Sequence, residues 1–436
     1  MIINEITPLL MFVLLFVLLI AGVPVAFSLM FTAVLFAVLI RGWSALDLVF
    51  QAFWATMNNF TLVAVPLFVF MSVLLEKSGV VEDMYKALKS IIGGIRGSLL
   101  IIALLMGYVI GAMSGIAAAG VVSIALVVYP ILKKTYPRAE DMSIAITVFA
   151  GTLPQLIPPS LNMIVYSSMT GVSAVKLFAA GLIMGTMLTV IATIYIITYS
   201  IVNKDRIPKY SPEGHRENRV AYLKGLFPPI AIIASVLGSI FIGMATPTEA
   251  AGVGALAILL YTFLTGRLDK KVLRESFLST IKLSAMVGWI ISGAVAFSSI
   301  FSISGGYSVI SRILLQVPRA DVFAPLVLII LVIFLGMFLE TTSIATILGP
   351  LSDYIIRSLG LDPLWWGSVF CFALMMAFLT PPVGMGVYLF KGVVTDIPMS
   401  RIFKAVIPFL IIELALTFIF LLYPSIILIP VRILTR

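Results

Sequence analysis

Charged residues are scarce in this chain. Of its 436 residues, Lys, Arg, Asp and Glu make up 11%, whereas apolar residues make up 61%. Soluble globular domains carry roughly 25% charged and 45–50% apolar residues. A mean hydropathy of +1.18 agrees with the imbalance. These proportions exclude a water-soluble domain and predict an all-α polytopic membrane protein that crosses the bilayer about ten times.

Cysteine and histidine are nearly absent. Cys371 is the only cysteine, and His215, in a polar loop, is the only histidine. One cysteine excludes a disulfide framework and a Cys-x-x-Cys metal site. One histidine leaves no cluster for zinc, haem or nucleophilic catalysis. The sequence therefore predicts no cofactor and no enzymatic activity. A membrane-embedded enzyme is kept as an alternative, although its paired acids or Asp-rich metal motif are missing.

The net charge of +9 does not indicate nucleic acid, because Lys and Arg stand between apolar spans without an RNA-binding pattern. Basic loops instead indicate orientation. Four basic clusters and the loop around Lys391–Lys404 together contain 21 of the 28 basic residues, and these segments are predicted to lie on the cytoplasmic side. The four clusters are Lys77–Arg96, Lys133–Arg138, Lys204–Lys224 and Arg267–Lys282.

Two proline pairs interrupt apolar segments that would otherwise form unbroken spans. They are Ile157-Pro158-Pro159-Ser160 and Thr380-Pro381-Pro382-Val383-Gly384. Proline lacks a backbone N–H and clashes with the carbonyl four residues earlier, so each pair predicts a helix broken at membrane depth. The backbone groups freed at such breaks can hold ions and carboxylates. The pairs therefore predict the working centre of a carrier.

Two other apolar runs have polar, small-residue centres. Residues 98–132 turn near Gly111–Gly115, and residues 321–352 turn near Glu340-Thr341-Thr342-Ser343. The orientation given by the basic loops requires each run to return to the side from which it enters, so both are predicted to be re-entrant hairpins. Two tilted helices with small-residue packing faces are the alternative.

Landmarks recur along the chain at offsets of 223 to 227 residues. The matched pairs are Ser78-Gly79 with Ser304-Gly305, Ser114 with Thr341, Pro158-Pro159 with Pro381-Pro382, and Leu177-Phe178 with Ile402-Phe403. Each half is predicted to contain a surface helix, called the arm. The arm of the first half is predicted on the cytoplasmic side of the membrane and that of the second half on the outer side. The repeats are therefore predicted to be inverted, an arrangement that permits alternating access.

These landmarks divide the chain into four parts: N-terminal spans (1–58), a first repeat (59–202), a linking segment (203–277) and a second repeat (278–436). In the first repeat the arm, hairpin and broken helix are predicted at 80–95, 98–132 and 141–170; in the second they are predicted at 307–318, 321–352 and 364–395. The linking segment is predicted to hold a cytoplasmic loop, two spans and an amphipathic basic stretch, Gly266–Ser276, on the inner surface.

Seven motifs in this order resemble the large membrane subunit of tripartite ATP-independent periplasmic (TRAP) transporters over nearly the whole chain. They are Ala64–Phe68, Gly111–Gly115, Ile157–Ser160, Ala245–Ala251, Met337–Glu340, Gly360–Pro363 and Thr380–Gly384. The resemblance implies an elevator-type symporter of the bacterial inner membrane, related in fold to the ion-transporter superfamily, that uses sodium to take up organic acids. It also implies two partners, a periplasmic substrate-binding protein and a small four-helix membrane subunit.

The family pattern is altered at four positions, which here are Ile116, Pro154, Ala373 and Gly386. Sodium ligands are expected to be oxygens. One predicted sodium site combines Ser114 and Gly115 with carbonyls around Leu153, Ile157 and Pro158; its repeat-related partner combines Thr341, Thr342, Thr380 and Gly384. The alternative is that these residues only permit close packing, with hydroxyls bonded to their own helices.

The substrate carboxylate is predicted to lie between the two hairpin tips, where half-helix N-termini can hold it. The polar candidates are Ser160, Asn162, Thr341 and Thr342, and Pro159, Pro381 and Pro382 shape the breaks. Glu340 is predicted to cap backbone groups at the second tip or to tune the ion site. Glu249 is predicted to be a helix cap, and Lys391 to lie at the cytoplasmic edge. No role is predicted for Glu413, in the last long span.

A self-sufficient carrier of the same fold, working without partners, is an alternative in the same class. A channel is another alternative, but it does not need two symmetric helix breaks, and no repeated ring of pore-lining charge is present. The sequence does not identify the organic acid.

Overall fold

The computed structural model describes residues 2–92, 94–209, 219–315, 318–382 and 384–435. Across these residues the regular structure is helical, apart from one isolated bridge between Arg96 and Lys209. The only histidine, His215, and the motif residue Val383 lie outside the described residues, as do positions 316–317 of the second predicted arm. The all-α prediction is confirmed.

The first half of the chain forms eleven α-helices with breaks inside the motifs. They are α1 Ile2–Ile20, α2 Val25–Arg41, α3 Leu46–Met57, α4 Ala64–Lys77, α5 Val80–Ile92, α6 Ser98–Ser114, α7 Ala117–Val127, α8 Tyr129–Thr135, α9 Glu140–Thr152, α10 Leu161–Thr170 and α11 Ala174–Val202. The second half forms α12 Arg219–Phe241, α13 Pro247–Leu264, α14 Lys270–Ile303, α15 Gly306–Leu315, α16 Ala320–Gly336, α17 Thr341–Ser358, α18 Pro363–Leu379, α19 Met385–Val393, α20 Met399–Leu422 and α21 Ser425–Leu434.

Among the described residues, five helices are long and apolar enough to cross a membrane alone: the Phe60–Lys77 segment that contains α4, and α11, α13, α14 and α20. The bent pair of α7 and α8, at 41°, would add a sixth. Several other apolar helices, including α2, α6, α16 and α18, have 17 residues or fewer. The predicted ten crossings thus require that some spans consist of shorter helices.

A frame is formed by α2, α3, α4, α13 and α14. The long helix α14 contacts α2, α3 and α4, and α13 packs against α4. Contact between helices is close at Gly293, where an added Cβ would lie 2.8 Å from the carbonyl oxygen of Ala26. Large apolar side chains such as Phe27 and Leu256 remain more than half exposed, as expected of a lipid-facing surface.

An inner bundle is formed by α6, α7, α9 and α10 from the first half and α16–α19 from the second. Each main contact of one half has a counterpart in the other. Helices α6 and α7 pack on α9, as α16 and α17 pack on α18; α10 packs on α17, as α19 packs on α7. Small residues permit these approaches, since an added Cβ at Gly107 or Gly336 would collide with Ala150 or Ala377.

The four breaks occur inside the predicted motifs. The α6–α7 break lies at Gly115-Ile116, and the α16–α17 break spans residues 337–340. The first proline pair separates α9, extended by a 3₁₀ turn over Leu153–Gln155, from α10, and the second separates α18 from α19. Both proline pairs contain a cis peptide bond. The first tip and the first proline break are buried inside the bundle, whereas Pro381 and Pro382 of the second break are exposed.

The linking segment continues into the second repeat without a helix break. From Lys270 the amphipathic stretch Gly266–Ser276 forms the first turns of the continuous 34-residue helix α14. The predicted boundary between 277 and 278 therefore falls within a helix. In the sequence, basic residues precede an apolar run, and no helix-stop signal separates the two. The terminal helix α21 was also not predicted.

Ion pairs join the two halves at the end of the bundle that carries the basic clusters. Lys133 lies 2.6 Å from Asp396 and 3.4 Å from Glu140. Arg401 lies 2.8 Å from Glu140 and 2.6 Å from Asp141. This network ties the starts of α9 and α20 to the loop after α19. It is expected to hold the bundle together as one body.

Replacing Asp396 by asparagine should lower the melting temperature of the purified protein. The hydrogen bond from Lys133 holds the pKa of Asp396 below its usual value, so its stabilising effect is present at neutral pH and is lost as pH falls through that lowered pKa. We expect a deficit of roughly 1–3 °C, the size of an exposed pair. The deficit should be constant between pH 6 and 8.

The matched control is Asp205→Asn, which alters an exposed aspartate that has no ion pair in the described part of the chain. Thermal unfolding at several pH values measures both variants. Equal melting temperatures for the two would show that the network does not stabilise the bundle.

Candidate functional site

The first hairpin tip lies directly against the first proline break. Gly115 caps α6 with a φ of +62°, and an added Cβ there would lie 1.8 Å from the carbonyl oxygen of Pro159. The N–H of Leu161 donates to the Gly115 carbonyl over 3.3 Å. Ser114 is buried, and its hydroxyl accepts from the N–H of Ile116 over 3.3 Å. The structure thus places Ser114 and Gly115 beside the break.

Backbone carbonyls at this break differ in whether they accept hydrogen bonds. The Leu153 carbonyl accepts from the N–H groups of Leu156 and Ile157, at 2.9 and 3.0 Å. In the described part of the chain, no hydrogen bond ends on the carbonyls of Ile157, Pro158 or Pro159. Buried carbonyls are normally paired. Of the predicted oxygen ligands, Ile157 and Pro158 are therefore available for a cation, and Leu153 is already occupied.

Asn162 connects the first break to the second hairpin tip. Its amide Nδ2 lies 3.1 Å from Thr341 Oγ1 and 3.4 Å from Gln155 Oε1. Thr342 Oγ1 lies 3.3 Å from Asn162 Oδ1. These side chains are almost fully buried. We call this set the Asn162 bridge; it joins residues about 180 positions apart in the sequence.

Glu340 caps the second tip. Its carboxylate accepts from the N–H groups of Thr342 and Ser343, at 3.0 and 3.3 Å. It also accepts from the hydroxyls of Thr341 and Thr342, at 3.3 and 2.9 Å. Of its two predicted roles, the structure shows the cap of α17. Through this cap Glu340 orients the two threonines that meet Asn162.

The second proline break is organised differently. Thr380 is half-buried and donates to the Met376 carbonyl over 2.7 Å, whereas Pro381 and Pro382 are exposed. Gly384 begins α19 with a φ of +45°. No hydrogen bond among the described residues joins Thr380 or Gly384 to Thr341 or Thr342. The two threonines contact Asn162, in the first turn of the helix that follows the first break.

Two buried polar groups at this centre lack partners. Gln155 is 2% exposed and Ser343 is 1% exposed. Gln155 Nε2 and Ser343 Oγ make no hydrogen bond to the part of the chain that the structure describes. Ser160, in contrast, donates to the Gln155 carbonyl and caps α10. Sequence reasoning missed Gln155, although a glutamine in an apolar segment directly before a proline pair was a usable signal.

The altered positions have packing roles. Pro154 lies against Gly111 and Gly120 of the first hairpin, and Gly386 lies against Phe378 across the second break. Ala373 is fully buried in α18. These positions bring the hairpin and broken helices together and supply no side-chain oxygen.

Three other predicted residues lie away from the centre. Glu249 and Thr246 form a capping box at the start of α13, as predicted. Lys391 donates to the carbonyls of Thr395 and Ile397 after α19. Glu413 is fully buried in α20, and neither carboxylate oxygen has a hydrogen-bond partner among the described residues.

Helices interrupted inside an apolar all-α bundle are typical of secondary membrane transporters. The sequence profile of the tripartite ATP-independent periplasmic transporter, DctM component, matches residues 12–426. The chain belongs to this family and is a large permease subunit of a TRAP transporter. The predicted family is therefore confirmed, and the relatives are named as permeases, not as enzymes.

Relatives with different named substrates are about equally similar to the chain. The sialic acid TRAP transporter large permease SiaM of Vibrio cholerae is 30% identical over 92% of this chain and 94% of its own. The C4-dicarboxylate permease DctM of Pseudomonas aeruginosa is 30% identical over 85% of this chain and 86% of its own. A crystal structure of the YdaH transporter of Alcanivorax borkumensis shares the fold, with a TM-score of 0.60 and 14% identity over 88% of this chain and 90% of that one.

Proposed function

We propose that this permease carries out sodium-coupled uptake of an organic acid across the bacterial inner membrane by an elevator-type mechanism. A periplasmic binding protein delivers the acid, and a small four-helix membrane subunit packs against the permease. Inverted repeats supply the two tips and two breaks. The observation that carries this proposal is the buried centre where the first tip, the first break and the second tip meet.

Sodium is supported by the free oxygens at the first break. Ile157, Pro158 and Pro159 are buried, the Pro159 carbonyl packs against Gly115, and no hydrogen bond in the described residues uses the three carbonyls. A hard cation takes ligands of this kind. Thr341, Thr342, Thr380 and Gly384 remain the proposed partner site. Thr341 and Thr342 contact Asn162 beside the first break. Ion binding at either proposed sodium site would therefore alter the position of ligands at the other.

A carboxylate is supported by the unpaired donors. Gln155 belongs to the Asn162 bridge and Ser343 directly follows Thr342, and Gln155 Nε2 and the Ser343 hydroxyl would each otherwise be a buried donor without a partner. Leaving such a donor unpaired costs about 1–3 kcal/mol. A carboxylate that accepts from both would remove this cost. Ser160, Asn162, Thr341 and Thr342, the predicted substrate residues, position these donors.

An elevator movement is supported by how the helices are grouped. Hydrogen bonds and ion pairs tie the two halves of the inner bundle together, through Asn162 with Thr341 and through Lys133 with Asp396. A rigid bundle can slide against a frame with its site intact, as in alternating access by inverted repeats.

Uptake into liposomes tests the proposal. Purified permease, its small subunit and a loaded binding protein should accumulate radiolabelled acid under an inward sodium gradient. Replacing sodium with potassium should abolish accumulation, because the proposed coupling ion is then absent. Equal uptake in potassium would contradict sodium coupling. Full uptake without the binding protein would instead favour the self-sufficient carrier.

A further inference from the structure

A cavity of about 470 Å³ lies at the end of the inner bundle where the chain finishes. Its walls come from the loop between α10 and α11, the end of α17, the start of α18 and the terminal helix α21. Because α20 has 24 residues and is about 36 Å long, this end lies across the bilayer from the Arg401 ion pairs. The volume is within the ~300–1,000 Å³ of small-molecule sites. We call it the terminal cavity.

Positive charge predominates in the terminal cavity. Lys176, Arg357 and Arg432 line it, and Asp362 is the one acid among the lining residues in the described part of the chain. One oxygen of Asp362 caps α18, because it accepts from two N–H groups of the first turn at 2.8 and 3.0 Å. Three cations and one carboxylate leave the wall of the cavity with an excess of positive charge.

Two of the three cations have no partner among the described residues. Lys176 and Arg432 make no ion pair and no side-chain hydrogen bond there, whereas Arg357 lies 2.7 Å from a carboxylate of its own helix. At the opposite end of the bundle, Lys133 and Arg401 each lie 2.6 Å from a carboxylate. Both unpaired side chains are exposed, so an anion from outside the chain can reach them.

A helix N-terminus adds to the positive potential of the terminal cavity. The 29-residue helix α11 begins at Ala174, and Ser173 and Lys176 of its first turn lie in the wall. The N-terminal end of a helix carries a partial positive charge. No acid occupies the first turn of α11, so this charge is not cancelled there. The helix end and the side chains therefore favour the same kind of ligand, an anion.

The remaining wall and the surroundings of the cavity are apolar, which favours a lipid over a soluble anion. On the other face of α21, Ile429 and Ile433 are 56% and 64% exposed, and the exposed Tyr423 precedes this helix. Tyrosine is typical of the boundary between lipid and water. The cations thus lie beside lipid-facing side chains. The apolar residues of the wall include Val172, Leu364, Leu428 and Val431.

We infer that the terminal cavity binds the headgroup of an anionic phospholipid. The phosphate accepts charge-assisted hydrogen bonds from Lys176 and Arg432. The glycerol backbone and the first acyl carbons lie against the apolar wall. A zwitterionic headgroup brings no net charge and would leave the excess positive charge of the wall uncompensated. A lipid held in this way anchors the end of the inner bundle at the membrane surface.

Lipid titration of the full-length permease in detergent tests this assignment. Thermal unfolding is followed as dioleoyl phosphatidylglycerol or dioleoyl phosphatidylethanolamine is added, because these lipids have the same acyl chains and differ in headgroup charge. Lys176→Gln combined with Arg432→Gln removes both unpaired cations. The matched control is Arg319→Gln, which alters an exposed cation that lies outside the cavity and has no ion pair among the described residues.

Phosphatidylglycerol should raise the melting temperature of the wild type and of Arg319→Gln more than phosphatidylethanolamine does. In the double variant the half-stabilising concentration should rise about thirtyfold, since each basic side chain near a membrane surface strengthens the binding of anionic lipid roughly fivefold. Inorganic phosphate should have no effect, because it lacks the chains that contact the apolar wall. A phosphatidylglycerol with a photoreactive headgroup should crosslink the wild type at residues 171–176 or in α21, a result that needs no variant.

Equal stabilisation by the two lipids, or equal titrations of the double variant and the wild type, would overturn the assignment. Stabilisation by inorganic phosphate to the same extent would also overturn it, since the site would then take a soluble anion. Weaker capture of the binding protein by the double variant, with an unchanged lipid titration, would make the cavity a protein contact instead. None of these measurements requires sodium-driven uptake, so their failure would leave the proposed function intact.

Discussion

Gly115→Ala should reduce sodium-driven uptake by about a hundredfold, the loss that a 1 Å misplacement can cause in a built site. The added Cβ would lie 1.8 Å from the Pro159 carbonyl oxygen, whereas real Cβ atoms essentially never approach closer than 3.0 Å. The first tip and the first break must then move apart. Because the proposed sodium ligands come from both sides of this contact, the ion site would open. Initial uptake rates measure the effect.

The matched control is Gly171→Ala. Gly171 caps α10 with a φ of +74°, similar to that of Gly115, but no atom lies within 4 Å of its added Cβ. It therefore carries the same backbone strain, about 1–2 kcal/mol, without the collision. We expect Gly171→Ala to lose some thermal stability and to keep its sodium dependence. Equal uptake by the two variants would mean that the close contact has no part in transport.

Asn162→Leu should also abolish most uptake. The leucine fills a similar volume but removes the bonds to Gln155, Thr341 and Thr342. Loss of a buried partner costs about 1–3 kcal/mol, which corresponds to roughly a 5- to 150-fold loss of site affinity. The second tip would no longer be tied to the first break. The expected signature is a higher KM for the acid together with weaker sodium dependence.

Asn203→Leu is the matched control for this change. Asn203 ends α11 and donates to the Tyr199 carbonyl over 3.0 Å, far along the chain from either break. Uptake by Asn203→Leu should equal that of the wild type. If Asn162→Leu transported normally while its thermal stability fell, Asn162 would be a packing residue.

Much of the fold could be predicted because its signals are local. Proline pairs, glycine caps and apolar runs act through backbone sterics within a few residues, so the breaks at Pro158 and Pro381 and the tips at Gly115 and Glu340 were found at their observed positions. The capping box at Glu249 is equally local. The end of the amphipathic stretch could not be predicted in this way, because its sequence contains no signal that stops the helix beginning at Lys270.

The site was harder to predict because its contacts cross between the halves. The sequence grouped Asn162 with Thr341 and Thr342 at the substrate site, and the structure places these side chains in contact; repeat symmetry also paired Thr341 with the second break, and no hydrogen bond among the described residues joins those two. Which helix faces which depends on packing that the spacing of motifs does not encode. Whether the Gln155 amide and the Ser343 hydroxyl have hydrogen-bond partners likewise depends on the positions of all their neighbours in the fold, and the sequence does not give these positions. The two sodium sites themselves remain predictions.

Sodium binding to the purified permease tests the central claim most directly. Thermal unfolding is followed while sodium chloride replaces potassium chloride at constant ionic strength, for the wild type, Ser114→Ala and Thr380→Ala. A bound ion stabilises the native state in proportion to the logarithm of its concentration above Kd. We predict a rise in melting temperature with sodium for the wild type, and a shift to higher sodium concentration in both variants. The same melting temperature in sodium and potassium, or identical titrations for all three proteins, would contradict a sodium site built from tip and break.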